Sequence, residues 1–295
     1  MDNSIHLKYL TINQDDLKWG ITINSVGYQN IAAGMSYPPK NHPPRYLFST
    51  DSGRTLNEYQ LLYITKGKGC FTSKTIDRTI HISEGNMFLL FPGEWHNYSP
   101  DPSTGWEEHW IGFEGQSIDN WVRNRLLTPD KPVLRVGIHD EIVNLYRAAT
   151  EAAMEQKSGF QQVLSGIVHH ILGLAYCYDR NYVFESSEVS LINRAKIIIN
   201  EHFKTIHPQA IAEELNMSYS NFRRIFKEYT GLAPIQYIQA AKISKAKELL
   251  TNSPMSIKEI AWQLGFENHE YFFSIFKKRT GCTPAEYRRI TQGHI

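Results

Sequence analysis

The sequence predicts an α+β chain of two domains: a β-sandwich or small barrel with helices behind it, then an all-α domain with two helix-turn-helix motifs. Three observations predict this. Residues 1 to about 115 alternate short apolar runs with Gly/Pro turns, residues from about 116 to 180 change to helical periodicity, and the last eighty residues contain one segment twice. A length of 295 residues accommodates about two domains, each large enough for a core of its own.

In the first domain, residues 58–65 read as an apolar strand, Lys66-Gly67-Lys68-Gly69 as a turn and residues 70–73 as the returning strand of a hairpin. Residues 78–83 and 87–91 form a second strand pair about Glu84-Gly85-Asn86, and Pro92-Gly93-Glu94 turns the chain into Trp95-His96-Asn97-Tyr98. Residues 106–113 form a further strand rich in aromatics. The interior of such a sandwich or barrel can hold a small molecule. Trp95, Trp106 and Trp110 can equally be barrel core. His42, in Lys40-Asn41-His42-Pro43-Pro44, lies in a Pro-rich loop that is either a lid or a plain connection.

Two helices follow, over residues 140–156 and 161–178, broken at Ser158-Gly159. The second carries Val163, Leu164, Ile167, Val168, Ile171, Leu172, Leu174 and Ala175, more apolar positions than one stripe over a barrel requires. Two explanations stay open: part of that surface meets a second subunit in a homodimer, or the helical pair is wholly buried against its own barrel. The polar, Ser/Glu-rich residues 181–190 read as a linker between domains 1–180 and 191–295.

The repeat in the second domain is legible residue by residue. Ile211, Ala212 and Leu215 put an apolar stripe on a first helix, Asn216-Met217-Ser218 makes the turn, and Ser218 caps a second helix. On that helix Phe222, Ile225, Phe226 and Tyr229 share one face, and Ser220, Arg223, Arg224 and Lys227 the other. Ile260, Ala261, Leu264, Phe272 and Phe276 repeat the pattern, with an offset of 49 at Leu215/Leu264 and 50 at Phe222/Phe272, hence one residue inserted in the turn. Between the copies a helix starts at Pro234 and stops before Ser253-Pro254. Residues 234–250, seventeen in number, span roughly 25 Å, enough to set two reading heads about one DNA turn of ~34 Å apart once their own radii are added. One such outward face would be read as a solvated surface; the whole module repeated points to a paired device for DNA. Arg reads guanine O6/N7 bidentately in the major groove, and Ser and Lys take bases or phosphates. The candidate readers are Ser218, Tyr219, Ser220, Arg223, Arg224 and Lys227 in the first head, and Asn268, His269, Glu270, Phe273, Ser274 and Lys277 in the second. With two Arg on its outward face, the first head is expected to carry more base-specific energy. Phe273 suits a thymine methyl or is an ordinary surface hydrophobe.

Residues from about 191 to 290 resemble the DNA-binding domain of the AraC/XylS family of bacterial transcription regulators. The resemblance is carried by residues 257–261, Gly265-Phe266, Tyr271-Phe272, Phe276-Lys277-Lys278, Gly281-Cys282-Thr283-Pro284 and Tyr287-Arg288. Two positions depart from the family pattern: Ser274 stands where an Arg is usual, opposite Arg224 in the first copy, and Lys242 replaces a common Arg. Residues 54–115 resemble the sugar-responsive sensor domain of the same family, a cupin-like β-barrel, through Gly67-x-Gly69, Gly85, Pro92-Gly93-Glu94-x-His96-x-Tyr98 and Trp106-x-x-x-Trp110-x-x-Phe113. The first fifty residues match poorly. By position the resemblance implies ligand contacts at Arg54, Tyr98, Glu108 and Trp110, with Trp95 and His96 beside them. A Trp face stacks on the C–H side of a pyranose while Arg, Tyr and a carboxylate hold hydroxyls. His96 occupies a metal-ligand position of metal-binding cupins, but Cys70-Phe71-Thr72-Ser73 supplies no His-x-His pair, so no metal and no cofactor are expected. His96 is read instead as a satisfied pocket or core histidine. The resemblance further implies dimerisation through the helices and activation by placing RNA polymerase at a promoter.

Charge is divided in the same way as the domains. The chain carries 31 Lys+Arg and 30 Asp+Glu; from residue 190 onward there are 15 basic and 9 acidic residues, against 16 and 21 before it. Cys70, Cys177 and Cys282 form no CxxC and read as reduced, mostly buried thiols. The N-terminus lacks a signal-peptide pattern and no stretch is apolar enough to span a membrane, so a cytoplasmic protein is expected. The leading expectation is a regulator whose barrel senses a mono- or oligosaccharide and whose paired heads bind operator DNA. A cupin enzyme such as a sugar isomerase, using His96, Glu94 or Glu108, is the alternative from another class, and a regulator whose barrel is only a dimerisation scaffold is the third. Because Lys/Arg contacts to phosphate release counterions, operator affinity titrated from low to physiological salt should fall steeply. A flat salt response would contradict the DNA-facing assignment.

Overall fold

The first unit is organised by one strand, and the first half of another, that are buried on both faces. The computed structural model describes residues 6–38, 49–182, 184 and 186–293, and the chain divides into two units, residues 1–183 and 184–295. The expected loop around His42 lies outside the described residues. Nine strands are described: β1 (His6–Tyr9), β2 (Thr22–Ile31), β3 (Arg54–Thr55), β4 (Tyr59–Ser73), β5 (Ile80–Ser83), β6 (Asn86–Leu90), β7 (Trp95–Pro100), β8 (Trp106–Glu114) and β9 (Val133–Arg135). Three helices accompany them: α1 (Gln116–Arg123), α2 (Asp140–Glu155) and α3 (Phe160–Tyr182). The main sheet runs β1-β2-β8-β4-β6-β9, with antiparallel pairs throughout.

Side chains alternate across a strand, so β4 and β8 each feed two cores. Tyr59, Leu61 and Tyr63 of β4 and Ile111 and Phe113 of β8 pack toward α1, α2 and α3, with Ile142, Tyr146, Leu164, Val168 and Ile171. Leu62 and Ile64, with Trp106 and Trp110, face the barrel interior beside Phe71, Phe88 and Tyr98. Burial on both faces is why these segments read as near-continuous apolar runs.

The expected hairpin at residues 66–69 does not exist. β4 is one 15-residue strand, whose first half pairs with β8 and β6 and whose second half pairs with β5 and β7. The glycines serve close approach instead of a turn. Gly67 has φ +83° beside a register shift at residues 64–66, and a Cβ there would run into the carbonyl oxygen of Gly105. A Cβ on Gly69 would meet the carbonyl oxygen of Ser99 and the Trp106 ring. The expected pairing of residues 78–83 with 87–91 is also corrected: β5 and β6 flank different halves of β4, and neither pairs with the other. The Pro92-Gly93-Glu94 turn is present, closed by Glu94 N–H to the Phe91 carbonyl at 3.2 Å and tied to Leu56 by Gly93 N–H to its carbonyl at 2.8 Å. The sheet does not end at 115, because β9 adds to β6. Within the residues 181–190 read as a linker, α3 runs to Tyr182, α4 begins at Ser186, and the two units divide at 183/184. Of the thiols, Cys70 and Cys282 are half-buried and Cys177 is exposed on α3, so none is fully buried as expected.

The second unit is helical: α4 (Ser186–His202), α5 (Pro208–Glu214), α6 (Tyr219–Thr230), α7 (Pro234–Asn252), α8 (Ile257–Gln263), α9 (His269–Thr280) and α10 (Pro284–Thr291). It has two cores built alike, one around Phe222 and Phe226 and one around Phe272 and Phe276. Helix α7 supplies Ile238 to the first and Ile243, Ala246 and Leu250 to the second. The turns coincide at a left-handed residue, Asn216 with φ 54° and Gly265 with φ 73°. Ser218 and Asn268 then cap the second helices, and Glu267 is the inserted residue between turn and cap. The chain is therefore mixed α+β, with an antiparallel sheet domain followed by a helical one.

Gly67→Ala should destabilise the barrel by at least about 1–2 kcal/mol from its backbone conformation alone, with the clash against Gly105 added. Gly93→Ala, also at positive φ but with open space around it, should cost less. Urea unfolding of the two variants checks the order; equal losses would show that the close approach is not what Gly67 provides.

Candidate ligand cavity and nucleic-acid interface

The inward positions of the barrel are apolar except at a few places, and those places meet. Arg54 (β3), Gln60 (β4), Tyr98 (β7), and Glu108 and Trp110 (β8) line one cavity with Gln29 of β2, Tyr9 of β1 and the Tyr37-Pro38 segment. Glu108 is 2% exposed. A buried carboxyl needs partners, and it has them: Gln29, directly across the β2–β8 register, donates its amide N–H, and the Tyr37 hydroxyl lies 3.2 Å from both carboxyl oxygens. Burial is the largest influence on Glu108 and pushes its pKa up to about 7, against the pull of those hydrogen bonds and of Arg54. Arg54 donates to the Tyr98 hydroxyl at 2.7 Å and to Gln60 Oε1 at 3.3 Å.

His96 sits across the β3–β7 register from Arg54 and is buried. Burial first and the adjacent guanidinium second lower its pKa to about 4. The neutral ring has a defined use: Nδ1–H donates to the Glu94 carbonyl at 3.0 Å, leaving Nε2 to accept from Arg54 at 3.4 Å. His96 thus supports Arg54 from beneath the cavity and does not line it. Trp110 owes its place to Gly27, its register partner on β2, where any Cβ would collide with the indole ring. Trp106 is buried core against Phe88 and Tyr98. Trp95 lies outside the cavity, half-exposed, with Nε1 donating to the Ser52 carbonyl at 3.0 Å.

The structure therefore brings Arg54, Tyr98, Glu108 and Trp110 together, puts His96 behind them and leaves Trp95 apart. Sequence reading missed Gln29, Gln60, Tyr37 and Tyr9. Gln60 had a signal: it is a polar residue at inward parity inside the apolar run of residues 59–64. The cavity is small, about 30 Å³, with the Tyr37 hydroxyl against Glu108. Among the described residues no group of three or more His, Cys, Asp or Glu is placed to hold a metal ion.

In the helical unit, Ser220, Arg223, Arg224 and Lys227 are exposed on α6, opposite buried Phe222, Ile225 and Phe226. Tyr219 is exposed beside them. Ser218 is occupied as the cap, accepting from Asn221 N–H. Arg224 is held along its own helix by Glu228 at 3.0 Å and Asn221 at 2.9 Å, whereas Arg223 forms no hydrogen bond or ion pair among the described residues. On α9, Asn268 is likewise the cap, accepting from the N–H groups of Glu270 and Tyr271, and His269, Glu270, Ser274 and Lys277 are exposed. Phe273 is half-buried against the second core, edge-on to Phe272 and His269. The exposed aromatic on this helix is Tyr271, whose hydroxyl accepts from Gln239 of α7 at 3.1 Å. Lys242 faces inward: its ammonium donates to the carbonyls of Lys204 and Gly265 at 3.3 Å each, and burial lowers its pKa.

A family model described as an AraC-like ligand binding domain matches residues 34–172, and one described as a helix-turn-helix domain matches residues 211–290. An uncharacterised helix-turn-helix-type transcriptional regulator of Escherichia coli strain K12 is 26% identical over 83% of this chain and 85% of its own length. The lactose operon transcription activator of Staphylococcus xylosus is 26% identical over 76% and 81%. The raffinose operon transcriptional regulatory protein of Pediococcus pentosaceus is 25% identical over 83% and 89%. No helix among the described residues is long and apolar enough to cross a membrane.

Glu108 gives a pH prediction. Its folded pKa is raised, so its native-state advantage is complete below its ordinary value of 4.5 and is lost as pH rises toward about 7. His96 works in the opposite sense, contributing above its ordinary 6.5 and losing that as pH falls toward about 4. Subtracting Glu108→Gln from wild type cancels the His96 part. Unfolding free energies measured from pH 4.5 to 8 should show wild type losing ground to the variant up to about pH 7 and then running level. A pH-independent difference would contradict the protonated, buried carboxyl.

Proposed function

Because the chain belongs to the AraC family of transcription regulators, we propose that its barrel cavity binds a sugar and that occupancy of the cavity controls operator binding by the paired heads. The matched domains and the relatives are those of DNA-binding regulators with a ligand-binding domain, not of enzymes. The carrying observation is the composition of the cavity: the Trp110 face on one side, and Arg54, Tyr98, Gln60, Gln29 and Glu108 around it. An aromatic plane with donors and acceptors in a ring is what a mono- or oligosaccharide requires, and its hydroxyls would replace the Tyr37 hydroxyl on Glu108. Two of the relatives named above are regulators of the lactose and raffinose operons.

In this reading α6 carries most of the base recognition through Arg223 and Arg224, with Tyr219, Ser220 and Lys227 beside them. On α9, His269, Glu270, Ser274 and Lys277 face the second site, Ser218 and Asn268 orient the two helices, and Phe273 supports α9 from the core. The protein acts as a homodimer through α3, where Val163 is 56% exposed, and as an activator that places RNA polymerase at a promoter in the cytoplasm. The ligand shifts regulation only to the extent that it binds one arrangement of the protein better than the other; a tenfold change needs about 1.4 kcal/mol of difference.

Thermal unfolding against a panel of mono- and disaccharides tests the ligand. A sugar at a hundred times its Kd should add roughly 2.7 kcal/mol of stability, lost in Trp110→Ala. No shift with any sugar would remove sugar from the account. For the DNA face, Arg223→Ala should cost about 1–3 kcal/mol of operator affinity and relax base preference at one position. Unchanged preference in a gel-shift competition would overturn that role.

A further inference from the structure

A second depression lies on the outer side of the same sheet, separate from the cavity. It is a groove of about 790 Å³ between β2, β8 and α2. Its floor is His109, which is 9% exposed and flanked by the rings of Tyr28 at 4.7 Å, Tyr146 at 5.4 Å and Tyr63 at 6.5 Å between centroids. Tyr63 and Tyr146 direct their hydroxyls to backbone carbonyls at Gly137 and Leu61. Neither ring nitrogen of His109 hydrogen-bonds to anything among the described residues, although nearly all of the side chain is out of water. The ring nitrogens are not sealed from solvent, so they open onto the groove, and whatever fills it supplies their partner.

The chemistry of the walls says what that something is. Glu107 stands on the β8 side, ion-paired with Lys66 at 3.8 Å, and Glu151 and Glu155 stand on the α2 side beside the guanidinium of Arg147. Arg147 is exposed and hydrogen-bonded to Asn144 along its own helix. Burial, and then Arg147, hold the His109 pKa down to about 4, so the ring is neutral and can accept a hydrogen bond. Tyr28 offers a π face, and Val143 and Met154 an apolar wall.

We propose that this groove is a second ligand site, taking a small organic cation whose ammonium donates to His109 and is balanced by Glu107 and Glu151. The site does not depend on what the barrel cavity holds. Calorimetric titration of the full chain with butylammonium, 1,4-butanediammonium and tetramethylammonium chlorides tests it, with butan-1-ol as the uncharged control. At least one primary ammonium should bind with a Kd of about 1 mM or tighter, and butan-1-ol should not. His109→Gln should abolish the signal. Because that change is in the core, Glu151→Gln at the exposed rim is the second variant, expected to weaken binding roughly two- to fivefold, and Val143→Trp should fill the groove and block it. No heat with either primary ammonium, whatever tetramethylammonium does, equal binding of butan-1-ol, or binding unchanged in both Glu151→Gln and Val143→Trp would each overturn the site.

Discussion

Strand β8 and the first half of β4, residues 59–64, are covered on both faces, and one step along either changes the compartment a side chain enters. On β8, Trp106, Glu108 and Trp110 go into the barrel, while Glu107, His109, Ile111 and Phe113 go toward α2 and α3. Everything else in the first unit follows from keeping that register. A slip of one residue would put Glu108 among the helices and Phe113 in the cavity. The glycines act as register devices. Gly27 leaves room for the Trp110 ring, and Gly67 and Gly69 let β4 pass close to Gly105 and Ser99 as it changes from one set of neighbours to the other. Holding a carboxyl in the barrel then becomes a local problem, solved by Gln29 and Tyr37.

How much of this was legible depended on whether the signal was local. The helical unit was read nearly to the residue, because caps, Pro starts and Phe spacing are local: Ser218, Pro234 and the Phe222/Phe226 and Phe272/Phe276 pairs all act within one turn of helix. The strands between residues 58 and 113 were found, but β1, β2, β3 and β9 were not, and neither were the pairings. Gly67-Lys68-Gly69 looks like a turn in sequence, and only Gly105 and Ser99, some thirty or more residues away, reveal it as a place of close approach. In the cavity, Arg54, Tyr98, Glu108 and Trp110 were reached through family resemblance. Gln29 and Tyr37 escaped because their role exists only across the β2–β8 pairing and in a loop with no periodicity. Phe273 was misread as outward because one position on a helical wheel separates rim from core.

The two heads share a scaffold and differ in what they present. Both cores hang on α7, and Lys242 ties that helix to the Gly265 turn and to the end of α4 by carbonyl contacts. An inward lysine at this place answers to packing, so the departure from the family's usual Arg bears on the scaffold. The difference between Arg224 and Ser274 is on the outer surface. Two similar heads with unequal chemistry suit an operator whose two major-groove contacts are read with unequal stringency.

The central claim is that one ligand site in the barrel and one DNA site in the helical unit are coupled, and coupling between two equilibria is reciprocal. The most direct measurement is the affinity of the full chain for the sugar proposed for the cavity, by calorimetry, once with no DNA and once with saturating operator duplex. The account predicts a sugar Kd that changes by the same factor by which the sugar changes operator affinity. An identical sugar Kd with and without operator, at salt where the DNA is fully bound, would contradict it.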